Sequence, residues 1–110
     1  MAMKRKNRAD KESFERQANI CKAFANPTRL QLVAMLEESD CWAAELQQGL
    51  DISKANLSQH LSILKAAGIV HTQRDGKQLF CKLAMPEVRK ATALFRSMLK
   101  AQMRESRRWI

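Results

Sequence analysis

The sequence predicts one mainly α-helical domain that also contains a β-hairpin. A long helical pattern runs from Ser53 to Gly68, and two β-prone runs follow it directly, one on each side of Asp75-Gly76. Apolar side chains at helical spacing predict three helices before this segment and one after it. A chain of 110 residues is long enough for a single domain with a modest core.

The helix that follows Ser53 has one apolar stripe and one polar face. Ser53 suits an N-cap, Gly68 suits a left-handed stop, and Leu57, Leu61 and Leu64 recur at i, i+4 and i+7. The residues that fall off this stripe are Lys54, Asn56, Ser58, Gln59, Ser62 and Lys65. A face of amides, hydroxyls and amines without acids is typical of a helix that contacts base edges and phosphates, although an ordinary solvated helix has similar chemistry.

Two helices are predicted at the start of the chain. Residues 11–25 form the first, and Asn26-Pro27 ends it because proline disfavours helical geometry in the residue before it. Pro27 suits the first turn of the second helix. We expect the inner residues of this second helix to be Leu30, Val33, Ala34 and Leu36.

A helix-turn-helix is predicted from the order of the next segments. Residues 39–42 form an extended link, residues 43–50 a short helix, and Asp51-Ile52 a turn into the polar-faced helix. A short helix, a tight turn and a longer polar-faced helix make up this motif.

The predicted hairpin lies where a winged helix-turn-helix has its wing. Asp75-Gly76 is a strong signal for a two-residue turn, because such a turn needs positive φ. Arg74 and Lys77 put basic groups at the tip, within reach of backbone phosphates or the minor groove. An ordinary solvated hairpin is the alternative interpretation.

The chain is strongly basic, and the excess is concentrated at its ends. The formal net charge is +9, of which residues 1–16 contribute +3 and residues 86–110 contribute +5. This balance suits a polyanionic partner, and it also favours solubility. We expect a disordered basic arm at 1–10, the folded domain at 11–105 and a basic tail at 106–110.

The sequence favours a cytoplasmic location and a reducing environment. No apolar run approaches the ~20 residues of a membrane span, and no apolar signal stretch follows the basic N-terminus. We therefore expect no membrane association. Three cysteines without close pairing fit a reducing compartment.

The first and last helices carry more apolar surface than one small core can cover. Pro86 begins the last helix, which has a nearly continuous apolar stripe. This pattern predicts a two-fold homodimer. The expected interface residues are Phe14, Ala18, Phe95, Met98, Leu99 and Met103.

Three motifs resemble the ArsR/SmtB family of small winged-helix repressors over residues 18–100. They are A-N-P-T-R-L from Ala25, L-S-Q-H-L-x-x-L-x-x-A-G-I-V from Leu57, and R-D-G-K-x-x-x-x-x-L from Arg74. The resemblance implies a homodimer that binds an imperfect palindrome in double-stranded DNA. It also implies an inducer that releases the DNA, usually a metal, a metalloid or an oxidising or sulfur species.

The resemblance also implies roles for individual residues. Ser53, Asn56, Ser58, Gln59 and His60 match the residues that similar proteins turn toward the major groove, and Arg74 and Lys77 match the contacts of the wing. His60 lies beside the leucine stripe, so a packing role is an alternative for it. Lys54 and Ser62 complete the predicted DNA-binding set.

The familiar metal sites of the family are absent from this sequence. Trp42 and Ala44 stand where the arsenic-sensing branch has two thiols, and the last helix has no histidine and only the acids Glu87 and Glu105. With only two histidines, His60 and His71, an imidazole-rich site for zinc, nickel or cobalt is not expected.

Cys21, Cys41 and Cys81 remain as candidate sensor residues. If the extended link pairs with the second wing strand, Cys41 and Cys81 become neighbours, provided that the register is right. We expect trivalent arsenic or another soft, thiophilic metal to bind the thiols, or cysteine oxidation to form a disulfide or persulfide bridge. The alternative is that all three cysteines only pack, as small apolar residues do. No resident cofactor is expected.

The sequence does not indicate an enzyme. It contains no arrangement of a catalytic triad, no glycine-rich phosphate loop and no paired acids near a histidine. A basic module that binds DNA or protein without sensing a small molecule is a second hypothesis.

Overall fold

The computed structural model describes residues 8–109 as five helices and a three-stranded sheet. The helices are α1 (Arg8–Phe24), α2 (Pro27–Glu38), α3 (Ala43–Leu50), α4 (Lys54–Ala66) and α5 (Glu87–Trp109). The strands are β1 (Cys41–Trp42), β2 (Val70–Asp75) and β3 (Gln78–Leu83). The sheet is antiparallel, and β3 lies between β1 and β2.

Both terminal helices are longer than predicted. Helix α1 begins at Arg8, so residues 8–10 are helical rather than part of a disordered arm, and α5 continues through residues 106–109 instead of giving way to a tail. Neither segment contains glycine or proline, and Asp10 in the first turn of α1 suits the positive end of the helix dipole. Residues 1–7 of the predicted arm and Ile110 lie outside the described residues.

Helix α2 starts as predicted but buries a different face. The side chain of Asn26 accepts a hydrogen bond from the backbone N–H of Arg29 at 3.0 Å, and Pro27 occupies the first turn. The buried residues are Leu32, Val33 and Leu36. The expectation that Leu30 and Ala34 face inward is wrong: both are exposed. Because α2 is apolar on nearly every side, its sequence does not single out one face.

Helices α3 and α4 form the predicted helix-turn-helix. Asp51 ends α3 in the left-handed region at φ 53°. The hydroxyl oxygen of Ser53 then caps α4 by accepting from the backbone N–H of Asn56 at 3.1 Å. Gly68 ends α4 at φ 76°, with the hydrogen-bond pattern of a Schellman motif.

The hairpin is present, with its turn one residue later than predicted. Asp75 pairs with Gln78 as the last residue of β2, so the two central residues are Gly76 and Lys77. Gly76 supplies the positive φ, 62°. The shift places the Lys77 side chain in the turn itself.

One core joins the helices to the sheet. Its fully buried side chains include Leu32, Leu36, Leu46, Leu64 and Cys81. Helix α5 is tied to α2 by polar contacts as well: the Glu37 carboxylate accepts from the Thr92 hydroxyl at 2.6 Å and pairs with Arg96 at 3.3 Å. The α4 face opposite the core and the wing remain open to solvent.

Candidate nucleic-acid interface and thiol pair

Helix α4 presents its predicted polar face to solvent. Leu57, Leu61 and Leu64 are buried, so the residues around the rest of the helix point outward. The predicted DNA-binding residues that are exposed are Ser53, Lys54, Asn56, Ser58, Gln59 and Ser62 on or beside α4, and Arg74 and Lys77 on the wing.

A groove of about 670 Å³ runs between α3, α4 and the wing. Four cations line it: Lys54 and Lys65 from α4, and Arg74 and Lys77 from the hairpin. None of its lining residues is acidic. The groove therefore has a positive field with no compensating carboxylate along its walls, which suits a polyanionic backbone.

Trp42, which lines this groove, belongs to an aromatic pair that was not predicted from the sequence. The ring of Trp42, at the end of β1, meets the ring of Phe80 on β3 edge to face, with centroids 4.9 Å apart. Trp42 and Phe80 are also directly paired across the two strands. The only signal of this contact in the sequence was the expectation that the extended link at 39–42 could pair with the second wing strand.

His60 differs from its neighbours on α4 because it is half-buried and has a protein partner. Its Nδ1 lies 3.3 Å from Nη1 of Arg29. Arg29 also donates to the backbone carbonyls of Ala23, at 2.6 Å, and Lys22, at 3.1 Å. This guanidinium thus connects the last turn of α1 to α4, a contact that no sequence pattern indicated.

Cys41 and Cys81 are brought together, whereas Cys21 is not. The pairing of β1 with β3 sets Cys41 directly opposite Cys81, which confirms the expected neighbourhood of the two residues. Cys21 is exposed on α1. Within the described residues no three His, Cys, Asp or Glu side chains are placed to hold a metal ion, so one protomer does not form a three-cysteine site.

The two paired thiols differ in accessibility. Cys81 is fully buried, and that burial, with the nearby Cys41 as the smaller cause, raises the pKa of the Cys81 thiol to about 11. Cys41 donates from Sγ to the Ser39 carbonyl at 3.2 Å and lines an open cleft of about 410 Å³. The carboxylates of Glu38 and Glu45 line the same cleft. Cys41 is therefore the more accessible thiol of the two, at 7% exposure against 0% for Cys81.

A long apolar face on α1 and α5 is exposed. Phe14 of α1 is 57% exposed, and on α5 Met98 is 67%, Leu99 54% and Met103 50% exposed. Phe95 bridges this face and the core, because its ring packs edge to face on Phe24 with centroids 5.4 Å apart. Among the described helices, none has an apolar stretch long enough to traverse a lipid bilayer.

Sequence comparisons place this chain among bacterial regulators. Residues 26–72 match the family model described as "Bacterial regulatory protein, arsR family". The chain is 31% identical over 87 residues to an uncharacterised HTH-type transcriptional regulator of Mycobacterium tuberculosis, and the match covers 78% of this chain and 76% of that protein. The chain belongs to the arsR family of bacterial regulatory proteins. This is a family of transcriptional regulators rather than of enzymes, in agreement with the sequence analysis.

A second relative and a solved structure extend the comparison. The chain is 43% identical over 67 residues to the biofilm growth-associated repressor of Agrobacterium fabrum. This match covers 61% of this chain and only 57% of that protein. The homodimeric winged helix-turn-helix DNA-binding domain of a possible ArsR-family regulator from Mycobacterium bovis superposes with a TM-score of 0.83 at 21% identity, over 94% of this chain and 95% of that one. The likeness confirms the winged helix-turn-helix fold of this arsR-family member.

Proposed function

We propose that this arsR-family protein is a sequence-specific DNA-binding repressor that works as a homodimer in the cytoplasm. The observation that supports this proposal most directly is the exposed polar face of α4. This face continues into the groove between α4 and the wing, which is lined by four cations and no acids. The Agrobacterium fabrum relative is itself named a repressor.

The proposed DNA contacts divide into base readout and backbone contacts. The amides of Asn56 and Gln59 suit bidentate hydrogen bonds to adenine, each worth ~1–3 kcal/mol of discrimination. The cations of Lys54, Arg74 and Lys77 suit phosphates. The hydroxyls of Ser53, Ser58 and Ser62 complete the surface.

The exposed apolar face of α1 and α5 supports the homodimer. The proposed interface residues are Phe14, Ala18, Phe95, Met98, Leu99 and Met103, all exposed in the protomer. Two-fold symmetry would place two α4 helices in successive major grooves about 34–36 Å apart, so the operator would be an imperfect palindrome.

Site-selective variants test the DNA interface. A footprint on the DNA upstream of the gene, followed by titrations of that site, should show a loss of affinity of about 5- to 150-fold for Asn56→Ala or Gln59→Ala. Lys82→Ala is the matched control, because Lys82 is exposed on β3 and does not line the groove. If Asn56→Ala and Gln59→Ala both bind the site as tightly as the wild type does, the assignment of α4 as the DNA-reading helix is refuted.

Sedimentation velocity tests the dimer. Met98→Glu or Leu99→Glu would bury a carboxylate in the interface, which is strongly unfavourable. We expect these variants to sediment as monomers and the Lys100→Glu variant to remain dimeric. A monomeric wild-type protein at micromolar concentration would overturn the proposal.

We also propose that Cys41 and Cys81 form the inducer site. Only these two thiols meet in the protomer, which supports two-thiol chemistry rather than three thiolates from one chain. An oxidant such as hydrogen peroxide would take two electrons and two protons from the two thiols. The two sulfurs would then form an S–S bond, and the peroxide would be reduced to two molecules of water. Trivalent arsenic would instead exchange two hydroxyl ligands for the two sulfurs, with release of two waters.

The inducer site has a direct test in single serine variants. Wild-type protein and Cys21→Ser should lose operator affinity after treatment with arsenite or a mild oxidant, whereas Cys41→Ser and Cys81→Ser should not respond. The treatment that acts identifies the signal. A full response of both paired-cysteine variants would reduce the cysteines to packing residues.

A further inference from the structure

The contact between Arg29 and His60 fixes which ring nitrogen carries the proton. A guanidinium stays protonated in proteins and has no acceptor, so its N–H can only donate. The Nδ1 atom of His60, 3.3 Å from Nη1 of Arg29, must therefore be the unprotonated acceptor. A neutral imidazole has one N–H, which is then on Nε2.

The Nε2 atom of His60 has no hydrogen-bond partner among the described residues, where the hydrogen bond of the ring is the one between Nδ1 and Arg29. No buried side-chain nitrogen or oxygen in that part of the chain lacks a partner. The Nε2–H is therefore an available donor, on the same helix as Asn56 and Gln59.

Arg29 is held firmly enough to impose this orientation. Its Nε and Nη2 donate to the carbonyls of Ala23 and Lys22 in the last turn of α1. The guanidinium is half-buried, and three of its nitrogens have partners. The planar fork thus leaves Nη1 pointing at one atom of His60.

We propose that Arg29 is a positioning residue that holds His60 in its Nε2–H form, so that His60 presents a hydrogen-bond donor to an acceptor atom on DNA. The acceptor is a phosphate oxygen or an acceptor on a base edge, such as guanine O6 or N7. An exposed exocyclic amine would not suit this ring. The proposal rests on the proposed function of α4 as the DNA-reading helix.

The tautomer is measured on the free protein, without DNA. Long-range ¹H–¹⁵N correlation spectra of histidine-labelled protein report the protonation of each ring nitrogen, and His71→Gln assigns the signals of His60. We expect a single Nε2–H form in the wild type and a mixture of the two tautomers in Arg29→Met. An Nδ1–H form in the wild type, or a spectrum unchanged by Arg29→Met, would overturn the proposal.

Two substitutions of His60 separate its two nitrogens. The Gln side chain places its amide nitrogen, a donor, near the position of Nε2. The Asn side chain is shorter: its amide lies near the position of Nδ1, where its oxygen keeps an acceptor for Arg29. We expect His60→Gln to bind the operator within about twofold of the wild type and His60→Asn to bind about fivefold more weakly, the factor for one hydrogen bond. Equal losses in both variants would contradict a donor at Nε2.

The same titrations show whether the acceptor on DNA is a base edge or a phosphate. They also separate a failure of the proposed DNA-binding function from a failure of the role of Arg29. A loss confined to operators with one particular base pair indicates a base edge, and a uniform loss over all sequences indicates a phosphate. If the wild type binds no operator specifically, the proposed function fails, while the tautomer measurement still decides whether Arg29 positions His60.

Discussion

Cys41 and Cys81 lie directly opposite each other on antiparallel strands, and both side chains are buried. Opposed residues of such strands have Cα atoms about 4.5–5.5 Å apart. A disulfide spans about 4.4–6.8 Å between Cα atoms. Closing the bond therefore needs little backbone movement, and it would tie the strand before α3 to the wing strand β3.

Mild oxidation should consume two of the three thiols. With diamide, we expect the free thiols of the denatured wild type to fall from three to one, and those of Cys21→Ser from two to none. Mass spectrometry should find the Cys41 and Cys81 peptides linked. Cys41→Ser should form no intramolecular bond, and a main product joined through Cys21 would contradict the pairing.

Stability should fall at alkaline pH because of Cys81. Burial raises the pKa of this thiol from 9.0 to about 11, so the unfolded chain ionises it first. The free energy of unfolding therefore falls by up to about 1.4 kcal/mol for each pH unit between 9 and 11.

Urea unfolding of reduced protein at pH 8 and pH 10.5 measures this effect. The loss between the two pH values should be larger for the wild type than for Cys81→Ala, by about 1–2 kcal/mol. Cys21→Ser should behave as the wild type does, because Cys21 is exposed. An equal loss in Cys81→Ala would show that other groups cause the decline.

The wing cations should contribute affinity without sequence preference. Removing Arg74 or Lys77 takes one positive charge from the groove, so the slope of log affinity against log salt should fall by about 1 in each alanine variant. Fluorescence anisotropy at several salt concentrations gives the slope. Lys82→Ala should leave it unchanged, and a loss confined to one operator sequence would indicate base readout by the wing instead.

Gly68 should resist substitution for reasons of backbone geometry alone. It has φ 76°, and a Cβ built on it meets no atom within 4 Å. Gly68→Ala should therefore lower the free energy of unfolding by about 1–2 kcal/mol, the cost of the left-handed region for an L-residue. Denaturant unfolding measures it, and Gly68→Asn should lose less. No loss for alanine would mean that α4 can end differently.

The segments with strong local signals were predictable from the sequence. The bounds of α3, the Ser53 cap and the Gly68 stop follow from capping and φ requirements, and the structure confirms them. The sequence left the register of the extended link open, and the structure sets Cys41 opposite Cys81. Each of these features depends on a few neighbouring residues or on the known order of elements.

Features that depend on packing between distant elements were not predictable. Helix α2 offers apolar residues on several sides, so only its neighbours decide that Leu32 is buried and Leu30 is exposed. The contact of Arg29 with His60 joins residues that are 31 positions apart, at the end of a third element, α1. No periodicity in the sequence encodes such a meeting.

The most direct test of the central claim is a pair of titrations with reduced protein at physiological salt. One uses the DNA upstream of the gene, and the other uses random DNA of the same length. A sequence-specific regulator should prefer the upstream DNA by a factor of ~10³ or more. Equal affinity for both would contradict specific readout by α4 and leave a basic module that binds DNA without preference.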